Sequence, residues 1–398
     1  MCASLWLTGG RVAIDGQTSV RASLEIADGK IRRVHSREAH TPPDATIDLE
    51  NRLILPGLIN AHDHLEFNLF PRLGRGPYSN SADWARDIYQ PGVSPVREHL
   101  SVPKNIRMVW GGLKNLLCGV TTVCHHNPYD EQFQRGFPVH VVRHYGWAHS
   151  LTFEKDVFSA FDATQTDQPF IIHAGEGTDE RSRLEVFDLD RMGVLDSRTV
   201  LVHGVAFSEA GHSLRQRRGA GLVWCPTSNQ FVLGTTLDVH ALSDLESIAL
   251  GSDSALTARG NLLDEIHEAR EEDIPAPVIY RMVTETAASI LRLDEGEGRL
   301  ESGSVANIIA IPWNGASPCE AVAQLDSSQI DLVMIFGRIK LASEAIMATL
   351  PSPRRAGLER MTVDSVQRWV HAPVTRLLSE TAAHLGDEIR LAGKRISA

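Results

Sequence analysis

Several polar residues in this sequence stand where runs of apolar residues stop. The run 53–61 leads directly into His62-Asp63-His64. The run 169–173 ends in His173, with Glu176 three residues on; 199–203 ends in His203; 248–252 is followed by Asp253. Residues two apart on a strand share a face, so His62 and His64 present their imidazoles the same way. Three or four neutral imidazoles with one carboxylate suit a zinc-like or iron-like divalent ion with an open coordination position. An ion so held lowers the pKa of bound water to ~7. Asp253 can accept a proton from that water, and Glu176 is close enough to His173 to project over the same opening. A lone histidine at a strand end is usually only a hydrogen-bonded polar residue, and His-x-His alone is a weak signal. The weight lies in separate apolar runs that each end in such a residue.

For these residues to meet, their runs must lie side by side in one direction. Apolar runs at 53–61, 120–125, 139–145, 169–173, 199–203, 221–225 and 248–252 alternate with helical stretches. One helical stripe carries Ile106, Val109, Trp110, Leu113, Leu116 and Leu117, and another Val278, Ile279, Met282, Val283, Ile290 and Leu291. That alternation implies βα units and a parallel sheet, hence an α/β fold. In a closed βα barrel all the C-terminal strand ends share one rim. The stretch 150–168 is too short for a complete βα unit, so an eighth strand is hidden there or fused to 139–150.

Residues 4–55 read as short strands with turns at Gly9-Gly10, Asp15-Gly16 and Asp28-Gly29. Short strands return over 303–345, and the simplest arrangement pairs them with the early ones. The stretch 374–391 reads as one amphipathic helix with Val374, Leu377, Leu378, Leu385 and Ile389 on one side. The expected division is 1–55 with 303–345 as one unit, 56–302 as a barrel, and 346–398 as a helical tail.

The 398 residues are 42% hydrophobic and 22% charged, an ordinary globular composition, and the net charge of −11 argues against binding nucleic acid through its phosphates. No apolar run approaches the ~18 residues of a membrane span, and the N-terminus lacks the pattern of a signal peptide. The five cysteines (Cys2, Cys118, Cys124, Cys225, Cys319) form no Cys-x-x-Cys pair, which points to a reducing, cytoplasmic setting.

Leu-Pro-Gly-Leu-Ile-Asn-Ala-His-Asp-His (55–64) resembles the opening signature of the amidohydrolase superfamily. His-Ala-Gly-Glu (173–176), Val-His-Gly (202–204), Cys-Pro-Thr-Ser-Asn (225–229) and Gly-Ser-Asp-Ser (251–254) resemble its branch of cytosine, guanine and S-adenosylhomocysteine deaminases and triazine chlorohydrolases. The resemblance implies a distorted (β/α)8 TIM barrel plus a small β-sandwich built from both chain ends. It implies one divalent ion per chain, zinc in the first instance and iron as the alternative, held by His62, His64, His173 and Asp253. By the same match His203 contacts the water and the substrate, Glu176 is the proton shuttle, and the chain forms a homo-oligomer. Trp224 stands where several relatives carry His, and Val-Ala-Asn (305–307) where many have Ala-Asp. Binuclear relatives use a bridging carboxylated lysine, for which Lys155 is the candidate from the middle strands.

Substrate contacts are expected from the long loop 65–91, where Phe67, Arg72, Arg75 and Trp84 stand, since long loops at such a rim carry specificity. His125, His126, Trp147 and Asn229 complete the expected contacts, with an arginine holding an anionic substituent. The leading reading is deamination of an amino-substituted aromatic heterocycle through a metal-activated hydroxide. Opening of a cyclic amide such as an imidazolone or hydantoin keeps the same centre. A non-catalytic scaffold would be expected to lack metal ligands, and all of them are present.

Overall fold

The computed structural model describes residues 4–35, 45–242 and 245–398; Cys2 lies outside the described residues. The fold is α/β. Two sheets are wholly parallel. The first, three-stranded, joins Leu58–Asp63, Val120–His125 and His140–Val141. The second, five-stranded, runs Gly146–Ser150, Phe170–Ala174, Thr199–His203, Gly221–Trp224 and Ile248–Leu250. Helices pack around these strands, so they read as continuous apolar runs rather than alternating ones. The registers bring the strand ends level: Asp63 pairs with His125, Ser150 with His173, and Ala174 with His203. Past the last strand, Asp253 N donates to His62 O at 3.1 Å, which ties the end of the second sheet to the first strand.

The apolar run 53–61 divides at Gly57. Arg52–Pro56 pairs antiparallel with Ile308–Pro312, and Leu58–Asp63 turns into the parallel sheet. A Cβ at Gly57 would lie 2.2 Å from the Thr121 side chain, so only glycine passes between the two sheets here. The strand missing from the sequence reading is Gly146–Ser150. It is fused to the 139–145 run, of which only His140–Val141 is strand, while 150–168 holds the helix Val157–Asp162.

Both chain ends supply strands to one ten-stranded sheet, in which Arg52–Pro56 lies between Arg11–Ala13 and Ile308–Pro312. A four-stranded sheet holds Leu5–Thr8, Ser23–Ala27, Lys30–His35 and Thr46–Asp48. Leu7, Leu24, Ile31, Ile54, Ile308 and Met334 from the two sheets share one buried cluster. The stretch beyond 346 departs from the helical expectation. Glu359–Val363, Val366–Val370, Arg390–Leu391 and Lys394–Ser397 are strands that extend the large sheet. Asp364, with φ 53°, sits in the tight turn between the first two. The helix Val374–Leu385 stops before the expected 391, because Gly386 takes a positive φ at its end.

Candidate metal centre and the cavity above it

Three imidazole nitrogens and a carboxylate oxygen converge at the strand ends. The Nε2 atoms of His64 and His62 each lie 3.3 Å from Nε2 of His173. Asp253 Oδ1 lies 3.7 Å from His62 Nε2 and 3.8 Å from His64 Nε2. A tetrahedral ion with bonds of ~2.0–2.1 Å to imidazole holds its nitrogen donors ~3.3 Å apart. The donor set therefore fits a divalent metal in chemistry and in spacing. His126 is a fourth histidine in the group, since His62, His64, His126 and His173 can offer nitrogens within 4.8 Å of one another.

The partners of these rings decide which nitrogens are free. His173 Nδ1 donates to His149 O at 2.7 Å, which leaves Nε2 as a lone pair. His126 Nε2 lies 2.9 Å from Ala148 O, and a carbonyl only accepts, so the His126 proton is on that nitrogen. Its Nδ1 is then the acceptor facing His62 Nδ1 at 3.3 Å. With its proton on Nδ1, His62 points an Nε2 lone pair at the other donors. His126 has both ring nitrogens engaged, and its contact with His62 lies on the far side of that ring. By this geometry Asp253 is the better fourth donor.

Asp253 is held as tightly. Its Oδ2 accepts from Ser228 Oγ at 2.7 Å and Thr257 Oγ1 at 3.0 Å, and its Oδ1 from Ser254 N at 2.8 Å. Asp63, between the two histidines, faces the opposite way and meets the buried Lys114 at 3.1 Å. Lys114 Nζ also donates to Asn68 Oδ1 at 2.9 Å, Ser252 Oγ at 3.0 Å and Asp253 O at 3.3 Å, a floor that the sequence reading missed. Strand alternation places Asp63 away from the histidines, but nothing in the spacing names Lys114 as its partner.

Burial lowers the pKa of His62, and lowers those of His64 and His173 well below the usual imidazole value, which favours the neutral ligand form. Burial pushes Asp253 up, but the hydrogen bond and charge of His62, with the charges of His64 and His203, hold it well below the usual carboxylate value.

Glu176 Oε1 stands 3.6 Å from His203 Nε2. His203 Nδ1 donates to Asn229 Oδ1 at 2.8 Å, and Asn229 Nδ2 donates to Thr236 Oγ1 at 3.3 Å, which fixes the amide. Burial raises the Glu176 pKa, and the Asp253 charge adds to this against the lowering effect of His203. His203 and Asp253 adopt φ of 80° and 49°, backbone strain of the kind that clusters where a side chain must be aimed.

A cavity of about 850 Å3 opens above this group, bounded by His64, His173, Glu176, His203 and Asp253. Of the expected substrate contacts, Phe67, Trp84 and Trp147 line it, and His149 joins them. The others do not. Arg72 lays its guanidinium over Phe231 at 4.7 Å and donates to Ala258 O at 3.2 Å, facing a separate hollow. Arg75 is exposed at the surface. His125 is fully buried beneath the rim, with Nε2 3.7 Å from Glu66 Oε2. His126 sits behind His62, and Asn229 behind His203. Lys155, the candidate bridging lysine, is an exposed residue ahead of the helix Val157–Asp162.

Residues 151–340 match the model of the amidohydrolase family. The 5-methylthioadenosine/S-adenosylhomocysteine deaminase of Natronomonas pharaonis is 27% identical over 376 residues, covering 78% of this chain and 84% of the relative. The deaminase of the same description from Pyrococcus furiosus is 26% identical, over 75% and 83%. Among solved structures, a zinc-bound variant of atrazine chlorohydrolase from Arthrobacter aurescens TC1 superposes with a TM-score of 0.73 at 18% identity, over 96% of this chain and 100% of that one. A zinc-bound adenosine deaminase from Xanthomonas campestris gives 0.66 at 17% identity, over 96% and 98%. The structural likeness is one of fold. No helix among the described residues is long and apolar enough to cross a membrane.

Proposed function

We propose that this chain is a mononuclear metal-dependent deaminase of an amino-substituted aromatic heterocycle. The carrying observation is the convergence of three Nε2 atoms and Asp253 Oδ1 beneath a cavity into which Glu176 and His203 also point. His62, His64, His173 and Asp253 would hold one divalent ion, zinc by analogy with the zinc-bound structural neighbours. Such an ion supplies Lewis-acid activation of the attacking water.

The chain's own groups do the rest. Asp253, with Oδ2 pinned by Ser228 and Thr257, keeps Oδ1 beside the Nε2 atoms of His62 and His64, where it could share a proton of the activated water. Glu176 takes a proton from the water and delivers it to a ring nitrogen beside the carbon under attack. The remaining hydroxyl proton of the adduct then passes through Glu176 to the amine; the carbon–nitrogen bond breaks, ammonia leaves, and a ring carbonyl beside the protonated ring nitrogen remains. A carboxyl raised by burial suits this task, because it both accepts and returns the proton without deep stabilisation of its ionised form. His203 is locked by Asn229 with Nε2 toward the same point, where it can steady the oxygen that attacks. Phe67 and Trp147 offer aromatic faces to a flat ring.

In this reading the two parallel sheets are arcs of one distorted (β/α)8 barrel over 56–302, and the sheets from 1–55 and 303–345 form the small sandwich. The test is ammonia release by the zinc-loaded protein over a panel of aminopurines, aminopyrimidines, aminopterins and aminotriazines. Ammonia released one-for-one with substrate supports the reading. A ring-opened acid formed from imidazolones or hydantoins without ammonia replaces it.

A further inference from the structure

The apolar wall of the cavity has a chemistry of its own. Phe70, Val96 and Leu256 are buried as a cluster, with Leu73, Trp84 and Leu100 packed against them. All of these face the cavity. The helix Ser81–Ile88 forms another side of it. Asn80 caps this helix by accepting from Asp83 N, yet none of its residues is buried. Trp84 and Ile88, one turn apart, both line the cavity, Trp84 also packing against the Phe70 cluster. A helix that turns its apolar side to an open cavity gains burial only when something apolar enters.

Charge gives a second, independent indication. Among the described lining residues the one lysine or arginine is Arg86, three-quarters exposed and paired with Asp83 at 2.8 Å. Glu66, Glu154, Glu176 and Asp253 are the acidic ones. The arginines expected to greet an anion face elsewhere, Arg72 onto Phe231 and Arg75 to solvent. Away from the floor, a carboxylate or phosphate seated against this wall would lose its water with no lysine or arginine of the wall to replace it. It would also meet carboxylates of its own sign.

We propose that the substrate's ring carries an uncharged apolar arm, alkyl, aryl or thioether, that seats against Phe70, Leu73, Trp84, Val96, Leu100 and Leu256. Arms ending in carboxylate or phosphate are rejected. The proposal rests on the deaminase reading only for the ring; the arm's chemistry follows from the wall.

The test measures binding apart from turnover. Zinc-loaded Glu176→Gln protein is titrated calorimetrically with matched pairs on two cores, an adenine nucleoside and a diaminotriazine. Each core carries either a short alkylthio or alkylamino arm or the same arm ending in carboxylate. The expected result is at least 10-fold tighter binding of the uncharged member on a core that binds. Leu100→Lys, and separately Leu256→Lys, each checked for an unchanged melting temperature, should raise the affinity of the carboxylate member at least 10-fold. Equal binding within a pair, tighter binding of the carboxylate, or no binding of any member overturns the proposal. Ammonia assays with the wild-type protein on the same compounds judge the deaminase reading separately. Arm selectivity without ammonia would sink the chemistry and leave the wall's preference standing.

Discussion

The floor and the wall of this cavity are built on opposite principles. On the floor, hydrogen bonds fix the direction of the side chains: Ala148 O sets His126, His126 sets His62, His149 O sets His173, and Ser228 with Thr257 sets Asp253. On the wall, Trp84 and Ile88 hang from a helix with no buried residue, and Tyr89 beyond it is 72% exposed. A reacting group must be preorganised, because its value lies in geometry. A surface that recognises an apolar arm needs only area and the absence of charge. Substitutions on the floor should therefore abolish chemistry, whereas substitutions on the wall should change which molecule reacts.

The sharpest break is the loss of a metal donor. His62→Ala or His173→Ala should leave the purified protein without its divalent ion by elemental analysis and bring ammonia release to background. A full equivalent of metal in both variants would remove these residues from the centre. Next is Glu176→Gln, nearly isosteric, which should keep the metal while turnover falls at least ~10²-fold. Glu176 must be ionised to accept a proton, and burial, helped by the Asp253 charge, raises its pKa. The wild-type kcat/KM should therefore fall with decreasing pH through a value above the ~4.3 of an ordinary glutamate. That limb should be missing from the residual activity of Glu176→Gln.

His126→Leu comes third. It removes the acceptor for His62 Nδ1–H, so zinc affinity should weaken by ~10–100-fold in chelator competition. The cobalt-substituted variant should keep the visible spectrum of the wild type, because no ligand has gone. A changed spectrum would make His126 a ligand. The smallest effect belongs to Arg75→Ala, which should alter stability by less than ~0.5 kcal/mol and leave KM unchanged. A clear rise in KM would bring Arg75 back to the substrate, as its sequence position suggested.

The floor was legible in the sequence because strands impose direction. A histidine that ends an apolar run, beside other runs with the same ending, has few places to go once the strands are parallel. The same logic stops at residues facing the other way, so the Asp63–Lys114 pair escaped notice, as did the hydroxyls of Ser228 and Thr257. His126 and Asn229 were singled out for a contact with substrate, but each meets a histidine instead. Sequence spacing brought them near the rim without saying whether they stood before or behind another ring. The wall was barely legible. Arg72 and Arg75 lie in a loop whose path is set by packing, and Arg72 found Phe231 and Ala258 O as partners from remote parts of the chain. The tail misled for another reason: its strands are short, and their pairing comes from distant segments such as Arg338–Ala342 against Val366–Val370. A local helical stripe after 374 was the stronger signal, and it was right only as far as Leu385.

Anomalous diffraction from crystals of the zinc-loaded protein tests the central claim most directly, because it locates the ion and its ligands together. The account predicts one zinc per chain, bonded at ~2.0–2.2 Å to Nε2 of His62, His64 and His173 and to Oδ1 of Asp253. His126 should be unbonded and still hydrogen-bonded to Ala148 O. A zinc bonded to His126 in place of Asp253, or a second zinc in the cavity, would contradict it.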